Sequence, residues 1–205
     1  MIIQTLLLLF PLISCDFSPH FRKFLHDSYG IAITDMLERT DLGMDASFGG
    51  KDSAADVPRN QAVDYCSFIL AMIIAVRQYT GQQVDVIGYS MGAPLARKAI
   101  LGGQCVDTRE ILGRRNGLHC DSEFLNDINN QQRYEGSHTF SIFSTADEKI
   151  GFRSCGRPVS PIRGGTGFVK RDGLNHDQLM DTTHPLQRNF ILYHSPKAPK
   201  HNRYL

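Results

Sequence analysis

Gly88-Tyr89-Ser90-Met91-Gly92 sets a serine between two glycines in the pattern G-x-S-x-G. Between a strand and a helix, that pattern forms a sharp turn that projects a hydroxyl as a nucleophile. The flanking residues predict that setting. Val84-Asp85-Val86-Ile87 is a short β-branched run, and Met91 to Leu101 is rich in Ala, Leu, Arg and Lys, so strand, elbow and helix follow in order. The serine on such a turn is strained, and side chains at Gly88 or Gly92 are expected to collide with the adjoining strand and helix. The backbone amide of Met91, at the helix start, is placed to donate to a developing oxyanion.

A serine hydroxyl needs a base within hydrogen-bond reach, and that base needs a third group to hold its tautomer. Where a strand-to-helix elbow carries the serine, the acid and then the histidine follow it in the chain. Asp147 follows a strand candidate at His138 to Phe143, and His176 lies in the loop Gly173-Leu174-Asn175-His176-Asp177. Both fall where loops gather at strand ends. His184 competes with His176, but it precedes Pro185 at the foot of a helix and reads as a cap or surface residue. Glu148 and Asp121 compete with Asp147, and Asp121 reads more simply as the cap of a helix beginning near Ser122. No metal cluster has ligand spacing, and no cofactor is expected.

The elements around these residues alternate. Helices are predicted at Phe21 to Tyr29 and Ile31 to Thr40, followed by a Gly-, Ser- and Asp-rich loop from Gly43 to Asn60. Asp64 is a plausible N-cap for an apolar helix from Tyr65 to Tyr79 that stops before Gly81. Pro185 to His194 reads as a last helix with proline in its first turn. Helices alternating with strands argue for an α/β layered domain with a mainly parallel sheet.

The 205 residues suffice for one domain, with 41% hydrophobic and 21% charged residues and a formal charge of +1. That balance lacks the basic footprint of nucleic-acid binding. Residues 1–15, Met-Ile-Ile-Gln-Thr-Leu-Leu-Leu-Leu-Phe-Pro-Leu-Ile-Ser-Cys, are too short to span a bilayer and suit a signal peptide. Residues 16–205 then form the mature domain, secreted and without an integral membrane segment. Of five cysteines, cleavage would remove Cys15, and Cys66, Cys105, Cys120 and Cys155 allow up to two disulfides in an oxidising compartment. The alternative for Cys66, in its apolar run, is a buried free thiol.

Several separated motifs carry a resemblance. Ser47-Phe48-Gly49-Gly50-Lys51, Val84 to Gly92 with Leu95-Ala96-Arg97-Lys98-Ala99, Phe143-Ser144-Thr145-Ala146-Asp147-Glu148, and Asn175-His176-Asp177 are similar to the class 2 lipases, especially their secreted nematode branch. The similarity runs from about Phe17 to Ile191. It implies an α/β-hydrolase-like three-layer sandwich and hydrolysis of acylglycerol-type or other small esters. It also implies Ser90 as nucleophile, Asp147 as acid and His176 as base, with no cofactor.

The chain departs from that family in two places. After Ser-Phe-Gly-Gly-Lys the family runs through a core strand ending in His-Gly, whose loop supplies a second oxyanion donor. Here Asn60-Gln61 leads through Ala62-Val63-Asp64-Tyr65 directly into the helix before the elbow, and the chain contains no His-Gly dipeptide. A second gap is expected at Leu112 to Gly117. Losing a core strand removes ladder hydrogen bonds from its neighbours and bares their faces, so the sheet is expected to be incomplete. Two further readings follow: a catalytically impaired pseudoenzyme or lipid-binding remnant, and a peptidase or thioesterase with the same serine chemistry.

Overall fold

Ser18 and Pro19 start the first helix. The Ser18 hydroxyl accepts from the Phe21 amide at 3.2 Å, and Pro19 occupies the first turn, where its missing N–H costs nothing. A computed structural model of the chain describes residues 17–38, 65–102, 120 and 122–197. They divide into two compact units: residues up to Ala62 with Gln78–Gly81, and Val63–Arg77 with Gln82 onward. The expected signal peptide, the Gly43 to Asn60 loop, the Asp64 cap, the gap at Leu112 to Gly117 and Asp121 all lie outside the described residues.

In the first unit, α1 (Pro19–Tyr29) and α2 (Ile31–Glu38) are separated by Gly30 at φ 82, a left-handed position that suits glycine. Leu25, Thr34 and Leu37 are buried, and Phe21 and Phe24 pack against Tyr79 with ring centroids 4.9 and 5.3 Å away. Arg22 pairs with Glu38 at 2.8 Å across the two helices.

The second unit contains the helix and strand elements that follow, apart from Gln78–Thr80 at the end of the first of them. Helix α3 (Tyr65–Thr80) stops where expected, before Gly81 at φ 66. Helix α4 (Gly92–Leu101) buries Leu95, Ala96 and Ala99, and α5 (Glu123–Asn130) buries Phe124 and Ile128 one turn apart. With Cys66 these residues form a core cluster on which Ile69, Met91 and Tyr134 also pack. Each large apolar side chain buried there contributes about 1.5–3 kcal/mol. Two cations of α4 fasten it to α5. Lys98 is buried against Asp127 at 2.5 Å, and Arg97 donates to Glu135, Asn129 and the Ile128 carbonyl. The cap of α5 is Ser122, which accepts from the Leu125 amide at 3.1 Å.

Strand β1 (Phe140–Ser144) pairs in parallel with β4 (Gly167–Arg171), from Phe140 opposite Gly167 to Ser144 opposite Arg171. Between them β2 (Arg153–Ser154) and β3 (Arg157–Pro158) form a two-residue hairpin. Its turn residues Cys155 and Gly156 both have positive φ, 48 and 76, as a primed turn requires. Helices α6 (His176–Thr182) and α7 (His184–Tyr193) close the unit. Among the described residues, helices with two two-stranded sheets, the longer of them parallel, are compatible with an α/β fold.

The sequence expectation of a strand at Val84 to Gly88 is corrected. Among the described residues this segment has no ladder partner, and Val86 and Ile87 are 42% and 54% exposed. The reason is physical: β-branched residues favour an extended chain, but a strand also needs a neighbour for its N–H and C=O groups. Disulfide chemistry resolves another alternative. Cys120 bonds Cys155, and Cys66 is disulfide-bonded rather than a free thiol.

Candidate active site

Ser90 sits at φ 54, left-handed for a residue with a Cβ, at a cost of about 1–3 kcal/mol. The turn is closed by the Gly92 amide donating to the Tyr89 carbonyl at 2.8 Å and the Ala93 amide to the Ser90 carbonyl at 3.2 Å. The Met91 amide, immediately before α4, donates to no acceptor among the described residues. Ser90 is half-buried.

The two motif glycines differ. A Cβ on Gly88 would stand 2.5 Å from the Ala93 Cα, whereas one on Gly92 would meet nothing within 4 Å. The expected collision therefore holds for Gly88 and not for Gly92. Gly88→Ala is expected to destabilise the protein by about 2–3 kcal/mol through this backbone overlap. Gly92→Ala, in the first turn of a helix, should change stability by less than about 0.5 kcal/mol. Urea unfolding of both variants checks the contrast, and equal midpoints would contradict it.

Asp147 lies three residues beyond the end of β1 and His176 five beyond the end of β4. Parallel strands deliver such loops to one edge of a sheet, the edge where α/β proteins commonly place their sites. There the His176 Nδ1 stands 2.9 Å from the Asp147 Oδ2, with the side chains only 5% and 9% exposed. A carboxylate only accepts, so Nδ1 carries the proton and the neutral ring keeps its lone pair on Nε2. That Nε2 is buried and has no partner.

Burial disfavours the charged Asp147 carboxyl. The amides of Ile150 and Lys149, at 2.9 and 3.0 Å, and His176 outweigh it and hold the carboxyl below its ordinary value. His176 is the first residue of a helix rather than a loop residue. Asn175 and Gln178 form a reciprocal capping box at 2.8 and 3.0 Å that starts α6 there.

The competing residues fall elsewhere. His184 is an exposed first residue of α7. Glu148 accepts from the His176 backbone amide at 3.0 Å, not from its ring. Sequence reasoning missed Tyr89, whose ring centroid lies 4.8 Å from that of His176, and missed the pair of Lys149 and Asp177. Their signal was adjacency, since each lies within two residues of Ser90, Asp147 or His176. Ser90 itself is not hydrogen-bonded to His176, whose Nε2 has no partner.

A groove of about 410 Å³ lies away from these groups, lined by Ile87, His184, Gln187, Arg188, Ile191 and Leu192. Its apolar lining is Ile87 from the segment before the elbow and Ile191 and Leu192 from α7. Among the described residues no helix is long and apolar enough to cross a membrane, and no three His, Cys, Asp or Glu side chains converge as metal ligands.

The second unit thus holds a parallel strand pair that presents a carboxylate–imidazole pair, and a left-handed serine on a glycine turn. The family model for class 2 lipases matches residues 46–115 and 113–189, and the chain belongs to that family, whose members are lipase-type ester hydrolases. The match divides at 113–115, inside the stretch where a missing strand was expected. No curated protein and no solved structure matches the chain.

Proposed function

We propose that this chain is a secreted serine lipase or carboxylesterase that hydrolyses acylglycerol-type esters in lipid catabolism, within an α/β-hydrolase-like sandwich shortened by missing core strands. The observation that carries the reading is the buried His176 imidazole, bonded to Asp147 through Nδ1 and presenting an unpartnered Nε2. A buried acceptor without a donor costs about 1–3 kcal/mol, and a serine hydroxyl brought to it would remove that cost.

In this mechanism His176 Nε2 takes the Ser90 proton as Oγ attacks the ester carbonyl, and the Met91 amide donates to the resulting oxyanion. The imidazolium returns the proton to the departing alkoxide, leaving an acyl-serine. Water, deprotonated by the same nitrogen, then releases the acid and restores Ser90. Asp147 keeps the tautomer and stabilises the charged ring. Secretion is supported by the leader at residues 1–15 and by disulfides at Cys66 and between Cys120 and Cys155, which persist in oxidising compartments.

The second reading, an impaired enzyme or lipid-binding remnant, is favoured by the Val84 to Gly88 segment, which has no ladder partner among the described residues, and by the lack of a His-Gly dipeptide. One missing oxyanion donor lowers kcat by about a hundred- to a thousandfold, so slow turnover is expected. Hydrolysis of a short-chain nitrophenyl ester by the purified chain, beside Ser90→Ala and a fluorophosphonate label, tests the proposal. Serine-dependent turnover with labelling is the expected result. A chain that is folded by circular dichroism, yet neither turns over nor labels, supports the remnant instead. A thioester and a peptide substrate in parallel separate lipase from thioesterase or peptidase.

A further inference from the structure

We infer that Tyr89, Asp177 and Lys149 form a brace that holds the His176 imidazole against Asp147, with Tyr89 as a positioning residue. The inference rests on the reading of His176 as the base. The Tyr89 ring lies beside the imidazole, centroids 4.8 Å apart and planes tilted by 35°. Its hydroxyl donates to the Asp177 Oδ1 at 2.8 Å, and the Lys149 Nζ donates to both oxygens of Asp177 at 2.8 Å.

Each member of the brace is next to one of the groups it would align. Tyr89 precedes Ser90, Lys149 lies two residues after Asp147, and Asp177 follows His176. Three separate chain segments are thereby tied together by side chains, independently of the bond between His176 and Asp147. The Glu148 carboxylate adds a further tie by accepting from the His176 amide at 3.0 Å.

Lys149 and Asp177 are 53% and 64% exposed, and ion pairs so open to water add little to stability. Orientation is a different matter, because a displacement of about 1 Å at a reacting group can cost about a hundredfold in rate. The brace also keeps its charge state across neutral pH. Burial and the Asp177 carboxylate push the Tyr89 hydroxyl up to about 12, and Lys149 and then Tyr89 hold Asp177 below the usual carboxylate range.

The test is proton NMR of the His176 Nδ1–H in the full chain, run beside ester kinetics, for wild type, Tyr89→Phe, Asp177→Asn and Lys149→Arg. In wild type a resolved downfield resonance is expected, because the held ring shields this proton from exchange with water. Tyr89→Phe and Asp177→Asn should broaden or lose it and lower kcat by about 3- to 10-fold with KM within about twofold. Lys149→Arg, which can still pair with Asp177, should retain both.

An unchanged resonance in Tyr89→Phe and Asp177→Asn overturns the brace, and so does its absence from wild type. Should either variant fail to fold by circular dichroism, the other decides on the same criterion. If the resonance behaves as expected while Ser90→Ala still hydrolyses ester, the brace stands and the serine mechanism is what falls.

Discussion

Asp147→Asn is expected to lower kcat for ester hydrolysis by about 10⁴-fold while leaving the chain folded. The carboxylate makes three acceptor bonds: Oδ1 takes the amides of Lys149 and Ile150, and Oδ2 takes the His176 Nδ1 proton. An asparagine whose carbonyl keeps the two amides turns its NH₂ toward Nδ1. A donor there forces the imidazole proton onto Nε2, which then has no lone pair for the Ser90 hydroxyl. The loop is spared because its backbone bonds survive. Steady-state kinetics, with circular dichroism as control, reads the effect. A loss smaller than tenfold would mean that Asp147 does not set the tautomer of the working base.

The same carboxylate gives a pH dependence. Its value in the folded chain is lowered relative to the unfolded chain. The resulting stabilisation is therefore fully present above the ordinary carboxylate value and is lost as pH falls through the folded one. Below about pH 4 the wild type should lose stability more steeply than Asp147→Asn, which has no proton to bind.

How much of this was legible in the sequence depended on the range of the interaction involved. Local signals read well: the helix stop before Gly81, the strand at Phe140–Ser144, and the glycine-flanked serine, although the first helix starts at Pro19, ahead of the expected Phe21. Pairing between Asp147 and His176, 29 residues apart, followed from chain order, strand ends and the family resemblance rather than from any local signal, and the structure places the two in contact. Strand β4 escaped notice because three of the five residues of Gly167-Phe168-Val169-Lys170-Arg171 are small or charged and the strand gains its identity from β1. Val84 to Gly88 failed in the opposite sense, with strong strand propensity but no neighbour among the described residues. The interlocking of Tyr89, Lys149 and Asp177 joins residues up to 88 apart and leaves no periodic trace in the chain.

The bared segment also changes what stability must rest on. Val86 and Ile87 are exposed, and the core cluster lies among α3, α4 and α5. The acid loop and the hairpin after it therefore depend on other fastenings, one of which is the bridge from Cys120 to Cys155. Cys120 lies two residues before Ser122, the cap of α5, and Cys155 forms the turn of the β2–β3 hairpin. The bridge closes a loop of 35 residues, a length at which restricting the unfolded chain contributes about 3–4 kcal/mol.

Replacing both cysteines by serine should lower unfolding stability by that amount, a large share of the about 5–15 kcal/mol typical of a domain. Urea titrations of the double variant and the oxidised wild type, with Cys66 left intact in both, isolate the effect. Ester turnover at low temperature should survive if the bridge acts on the unfolded chain. If turnover vanishes while the variant remains folded, the hairpin is instead fixing the loop that carries Asp147, and the bridge belongs to the site as much as to the fold.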